Sequence, residues 1–242
     1  LILPVTNGCS WNKCSFCEMY TQPQKRFWAR PETEVLEEIR RCGEQLIVQR
    51  VFLADGDALV LPTHRLLTVL QAIRELMPAV TRVSSYCLPR NLRKKSVAEL
   101  TELADAGLQM VYVGAESGDD EVLARVNKGE TFGSTLDALD KLAAAGISRS
   151  VMVLNGLGGK LLSEQHADNS ARLMNAAQPE YLSTLVVSFP TGMQRFRQEF
   201  AGFEELDQSA LFLEVERMLQ GLELQDTVFR SDHASNYLAL KG

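Results

Sequence analysis

Three of the five cysteines stand at Cys9, Cys14 and Cys17, a C-x4-C-x2-C run with the aromatic Phe16 just before the last thiol. Thiols at such short spacing wrap around one metal centre. A structural zinc ion asks for four ligands that close a tetrahedron. A [4Fe-4S] cluster ordinarily takes four cysteines. This chain supplies three locally, and no second C-x2-C pair follows. One metal position is therefore left open for a substrate or cofactor, unless His64, His166 or His233 closes a zinc site. On the cysteines alone both centres stand.

Other residues able to do chemistry come in short polar groups, each directly after an apolar run. Asp55-Gly56-Asp57 follows Val51–Ala54, and Ser84-Ser85-Tyr86-Cys87 closes a run from Arg82. Glu116-Ser117-Gly118 follows Met110–Ala115, and Asn155-Gly156 follows Val151–Leu154. A carboxylate with neighbouring carbonyls suits an ammonium, and glycine lets backbone come close. Asp and Gly are equally at home in a plain turn after a strand. Cys42 and Cys87 read as small packed hydrophobes, and a lone His on a helix reads as structural.

The apolar runs are strands, and the segments between them are helices. Pro31 opens a helical pattern with Val35, Ile39, Cys42 and Leu46 on one face. Further helices are expected from Pro62 to Met77, from the capping box Ser96-x-x-Glu99 to Gly107, over Thr131–Ala145 and over Ser163–Ala177. Leu182–Phe189 is the sixth strand, and the rest is expected to be helical to about Leu219. Strand and helix alternate six times, the pattern of βα units on a parallel sheet. In such folds function gathers at the C-terminal strand ends, which is where the polar groups fall.

At 242 residues, 45% hydrophobic and 23% charged, the chain is an ordinary globular one. A net charge of −6 argues against a nucleic-acid surface covering the whole protein. No run of 18 apolar residues spells a membrane span. The odd, clustered cysteines fit metal use in a reducing compartment rather than a disulfide framework. Opening on Leu1 and stopping at Lys241-Gly242, the chain is expected to be a fragment.

The three-cysteine loop after the first strand, with an aromatic before the last thiol, resembles the radical S-adenosylmethionine (radical SAM) superfamily. The usual spacing there is C-x3-C-x2-C, so this loop carries one extra residue. Val113–Gly118, with Val122-Leu123 and Asn127-Lys128-Gly129, resembles the fourth-strand motif of the Elp3/HemN-like branch. His166-Ala167-x-Asn169, Asn175, Pro179-Glu180-Tyr181 and His233–Leu238 resemble a subgroup of bacterial members with no assigned reaction.

The resemblance implies an α/β fold, a partial (βα)6 TIM-type barrel with a parallel sheet. The domain would run over 1–242, with six βα units to about 190 and a truncated helical extension over 191–242. It implies that Cys9, Cys14 and Cys17 hold a [4Fe-4S] cluster whose open iron chelates S-adenosylmethionine. Asp55, Gly56 and Asp57 would meet the methionine ammonium, and Glu116 the ribose hydroxyls or that ammonium. Lys128 would pair with the methionine carboxylate, Ser85 would make a polar contact, and Asn155 and Gly156 would lie beside adenine. His233 and its neighbours could line a barrel mouth.

It further implies a cytoplasmic oxidoreductase or transferase that makes a 5′-deoxyadenosyl radical and abstracts hydrogen from a small molecule or peptide. An electron donor such as a flavodoxin or ferredoxin is the expected partner, and neither membrane nor nucleic acid is. Two alternatives remain open: a zinc module, and a protein that binds S-adenosylmethionine without cleaving it.

Overall fold

The computed structural model describes residues 1–190 and 192–242. In chain order, β1 (Ile2–Pro4), β2 (Thr6–Asn7) and β3 (Trp28–Ala29) precede α1 (Glu32–Gln45) and β4 (Arg50–Ala54). Then come α2 (Thr63–Leu76), β5 (Arg82–Cys87), α3 (Val97–Asp105) and β6 (Leu108–Glu116). The second half runs α4 (Asp120–Arg125), α5 (Phe132–Ala144), β7 (Ser148–Asn155), α6 (Gly159–Ala177) and β8 (Tyr181–Val186). It ends with α7 (Gln194–Glu199), α8 (Gln208–Gln220), β9 (Val228–Ser231) and β10 (Leu240–Lys241). All six expected strands form. The segment after 191, expected to be helical, also contributes β9 and β10.

The chain divides into two compact units. The first takes Leu1–Asn12, Met19–Val113 and Asp140–Arg149. Its strands β1, β4, β5 and β6 pair in parallel, in that order, with Leu3 opposite Leu53, Val51 opposite Val83 and Cys87 opposite Val113. Side chains alternate across a strand, so one face carries Leu3, Val51, Leu53, Val83, Val111 and Val113, all buried. The other face carries Phe52, Tyr86 and Tyr112, whose rings meet at 4.9, 5.8 and 6.1 Å. The capping box expected at Ser96 is present: its hydroxyl accepts from Glu99 N, and Glu99 returns to Ser96 N. The stripe on α1 is shorter than expected. Val35 and Ile39 are buried, Cys42 is half-buried, and Leu46 is exposed because the helix ends at Gln45 and the backbone there is extended.

The second unit takes Lys13–Glu18, Gly114–Leu139 and Ser150–Gly242. Strands β7, β8 and β9 run parallel, with Asn155 opposite Val186, and β10 returns antiparallel to β9. Its core gathers Val122, Val126, Leu157, Leu162, Phe196, Phe200 and Phe203. Phe196 and Phe203 meet edge to face at 4.6 Å between centroids. Burying rings of this size supplies the main drive for packing the segment after β8 onto the unit. Among the described residues no helix is long and apolar enough to cross a membrane.

Candidate cofactor site

The cysteine loop is held near Cys9 by carboxylates that follow β4, and near Cys14 and Cys17 by Val126 O after α4 and by Arg195 on α7. In the first unit, Asp55 and Asp57 face the stretch around Cys9. The Asp55 carboxylate accepts from Gly8 N at 3.3 Å, from the Tyr20 hydroxyl at 2.9 Å and from Lys25 Nζ at 3.0 Å. Fully buried Asp57 accepts from Ser10 N at 2.9 Å, from the Ser10 hydroxyl and from Asn91 Nδ2 at 3.1 Å. Burial pushes the Asp57 carboxyl above the usual carboxylate range, while the bonds from Ser10 and Asn91 pull it back. Gly56 donates its N–H to Gly8 O at 3.1 Å. A Cβ at position 56 would stand 2.7 Å from Gly8 O and 2.9 Å from Cys9 Cα, so glycine is what lets strand end and loop touch. Ser85, wholly buried, donates to Leu53 O or Tyr86 O, each at 3.0 Å.

In the second unit the stretch from Cys14 to Cys17 is held differently. Cys17 N donates to Cys14 O at 3.2 Å, closing a turn. Ser15 N donates to Val126 O at 3.0 Å, and Arg195 donates to Cys17 O at 2.8 Å. Phe16 packs against the phenylalanine core, which gives the aromatic before the last thiol a physical role as an anchor. Cys9, Cys14 and Cys17 are all half-buried.

Glu116 and Lys128 lie together in that unit. Lys128 Nζ meets Glu116 Oε1 at 2.9 Å, with the lysine side chain 4% exposed, so it is no solvated helix-end cation. Glu116 ends its strand with φ at +66°, which aims the side chain off the regular alternation. A Cβ at Gly114 would run into Glu116 Oε1 and come within 3.4 Å of Lys128 Nζ, so a larger residue there would displace the pair. Asn155 is buried at the end of β7. Gly156, at φ +82°, gives its N–H to Glu214 Oε1 at 2.6 Å, so that donor is already engaged.

Sequence reasoning missed two features, Asp119 and Glu214, and read a third residue, His166, as a structural helix histidine. Asp119 caps α4, accepting from Val122 N at 2.9 Å and Asn169 Nδ2 at 2.6 Å. Burial raises its pKa, but these bonds and one from Gln165 prevail and hold it below the usual range. The signal was legible, because Asp119-Asp120-Glu121 is an acidic helix start. Glu214 bridges Gly156 N and the Ser163 hydroxyl, the latter at 2.6 Å, across fifty residues of sequence that carry no sign of it. His166 is buried with both ring nitrogens in use, Nε2 donating to Leu154 O at 3.0 Å and Nδ1 meeting the Ser117 hydroxyl at 2.7 Å. His233, placed at a barrel mouth by expectation, is exposed and bonds Ser235 at 2.9 Å. Its neighbour Asn236 does the structural work, accepting from Val186 N and donating to Thr184 O. Cys87 is buried core, with Sγ on Leu88 O at 3.3 Å.

The donor chemistry fits the implied cofactors. Soft thiolates in a fixed turn suit iron and sulfide, and a carboxylate beside an ammonium complements a zwitterionic amino acid. His166 does not suit a zinc site, since neither nitrogen is open to an ion. Among the described residues no three His, Cys, Asp or Glu side chains converge on one ion position, Cys9, Cys14 and Cys17 included, so this geometry does not choose between zinc and an iron–sulfur cluster.

Comparison with known proteins agrees. Over 166 residues the chain is 25% identical to the 4′-phospho-dehydrooxetanocin synthase of Priestia megaterium, covering 61% of this chain and 22% of that enzyme. Over 182 residues it is 22% identical to the heme chaperone HemW of Bacillus subtilis, covering 72% of this chain and 47% of HemW. The chain thus spans under half of the length of these relatives. The crystal structure of methylornithine synthase (PylB) aligns with a TM-score of 0.64 at 16% identity, over 94% of this chain and 63% of that one. That likeness shows the fold, an α/β partial (βα)6 TIM-type barrel. The Radical SAM superfamily model, whose members use a [4Fe-4S] cluster and S-adenosylmethionine, matches residues 3–174. With most of its length inside that match, and its cysteine loop and strand ends built as described, the chain belongs to the radical SAM superfamily.

Proposed function

We propose that this chain is the core of a radical SAM enzyme in which Cys9, Cys14 and Cys17 ligate three irons of a [4Fe-4S] cluster. The fourth iron is left for S-adenosylmethionine. The observation that carries the reading is the loop's fixation. Hydrogen bonds to Asp55, Asp57, Val126 and Arg195 hold the backbone of the stretches bearing the thiols.

When bound, cluster and S-adenosylmethionine supply the electron transfer and the 5′-deoxyadenosyl radical that takes hydrogen from a small-molecule or peptide substrate. The chain's own residues orient and exclude water. Lys128 pairs with the methionine carboxylate and Glu116 with its ammonium or with the ribose. Both charges are already desolvated, so trading partners costs little. Asp55, Gly56 and Asp57 hold the loop and, with Ser85, border the methionine end. Asn155 and Gly156 border adenine through backbone; the Gly156 N–H is committed to Glu214, and its carbonyl accepts from Gly159 N with a second lone pair to offer. An electron donor, flavodoxin or ferredoxin in kind, and a cytoplasmic setting complete the reading.

The test is anaerobic reconstitution with iron and sulfide. About four irons per chain, with a brown chromophore, are expected. The C9A/C14A/C17A variant should take up neither. A colourless wild-type protein holding zinc after the same treatment would contradict the reading.

A further inference from the structure

The geometry points to a second ligand site in the second unit, a cavity under α8 that takes an uncharged, mainly apolar small molecule with one hydrogen-bonding group, held by the Asn155 carboxamide. The site goes beyond the cofactor reading and does not rest on it.

The cavity has a volume of about 580 Å³, inside the range of small-molecule sites, about 300–1,000 Å³. α8 lines it with Leu211, Val215 and Leu219, each about one helical turn from the next. The floor is the end of the sheet, where Asn155, Val186 and Ser231 close β7, β8 and β9. Exposed Tyr237 and Leu238 extend the lining outward. The helix has separate anchors: Glu214 on Gly156 N and on the Ser163 hydroxyl, and buried Met218.

The sidedness of β7 sets this cavity apart from the cysteine loop. Leu154 packs against the same phenylalanine core as Phe16 of that loop. Successive side chains leave a strand on opposite faces, so the Asn155 side chain points away from the loop while its backbone stays at the strand end.

The polar groups of the floor then define the ligand. Asn236 is fully committed, accepting from Val186 N at 2.8 Å and donating to Thr184 O at 2.9 Å and to the Ser231 hydroxyl at 3.0 Å. Ser231 also accepts from the Thr184 hydroxyl at 2.8 Å. Asn155 is 2% exposed, yet among the described residues its carboxamide has no hydrogen-bond partner. A carboxamide carries one acceptor oxygen and two N–H donors, and a buried one left unpaired costs free energy that a ligand's polar group recovers. Among the described residues lining the cavity there is no Lys, Arg or His, and Glu216 is the only charged one, so an anion finds no counterion. A hydroxyl, able to donate to the Asn155 oxygen or accept from its nitrogen, fits, and an aliphatic or aromatic body fits the α8 stripe.

The test is calorimetry on the reconstituted protein with three probes: 1-decanol, decanoate at neutral pH, and naphthalene, which has an apolar body and no hydroxyl. 1-Decanol should bind at one site per chain, and decanoate about tenfold more weakly or worse. N155L should weaken 1-decanol by about three- to tenfold and leave naphthalene unchanged. It should also melt no lower than the wild type, because no protein partner is lost. V215W, which fills the cavity, should abolish binding of 1-decanol and naphthalene, and the milder plug L219F should weaken both. L161Q, at an exposed site outside the lining, should change nothing. Protein never given iron should bind 1-decanol equally, so failure of the cluster reading leaves this result standing. No binding of 1-decanol, decanoate binding just as tight, or N155L equal to the wild type for 1-decanol overturns the proposal. So does a dimer, seen by light scattering, that V215W dissolves while 1-decanol goes unbound, since the cavity would then be an interface between copies.

Discussion

Lys128 Nζ sits 2.9 Å from Glu116 Oε1, and both side chains are largely withdrawn from water. Removing one partner of such a pair leaves the other charge buried and uncompensated. K128M should therefore lower stability by about 3 kcal/mol, and E116Q/K128M should recover part of that loss. Both variants should lose S-adenosylmethionine binding. Urea unfolding and ligand calorimetry on the same samples separate the two effects. A double variant that binds S-adenosylmethionine like the wild type would remove the pair from the cofactor site.

Gly56 tests how closely strand end and loop must touch. Its Cβ-bearing variant G56A would press on Gly8 O and Cys9 Cα, displacing the loop at a cost of about 1–3 kcal/mol. The iron content of reconstituted G56A should fall well below wild type. G133A is the control, because among the described residues the nearest atom its new methyl meets beyond its own chain neighbours and helix backbone is Thr131 Oγ1 at 4.0 Å. It should keep its iron and gain a few tenths of a kcal/mol from helix propensity. Full iron uptake by G56A would show that the contact is not needed.

Much of this was readable from the chain. Strands after which polar groups fall, such as Val51–Ala54 before Asp55-Gly56-Asp57, are legible because an apolar run and its turn are local. The Ser96 capping box is equally local. What could not be read is what those groups touch. Asp57 meets Asn91, Gly156 meets Glu214, and Ser117 meets His166, each through tertiary packing that leaves no periodic trace. The short strands β2, β3, β9 and β10 escaped for a related reason: two to four residues hold too few side chains to display alternation.

Asp119 should give the protein part of its acid sensitivity. A carboxylate whose folded pKa is depressed contributes stability above its unfolded value and loses it as pH falls through the folded one. D119A should cost about 2 kcal/mol at neutral pH, from the lost cap and the bond to Asn169. The gap between wild type and D119A should narrow as pH drops from about 5 to about 2. Denaturant melts across that range check it. A gap independent of pH would mean that the charge on Asp119 contributes nothing.

His166 distinguishes framework from metal ligand. H166A removes one hydrogen bond each from the Ser117 hydroxyl and Leu154 O, which keep Asp119 N and Leu157 N, and opens a cavity in a buried site, so about 2–4 kcal/mol of stability should go. Metal content, measured by elemental analysis on folded protein, should stay at the wild-type level. Loss of metal without loss of stability would reverse the assignment.

The most direct measurement is the product itself. The reconstituted protein, reduced with dithionite under exclusion of oxygen and given S-adenosylmethionine, should yield 5′-deoxyadenosine. C9A/C14A/C17A, treated identically, should yield none. A wild-type protein that carries a full cluster, binds S-adenosylmethionine and still forms no 5′-deoxyadenosine would contradict the central claim that this core cleaves it.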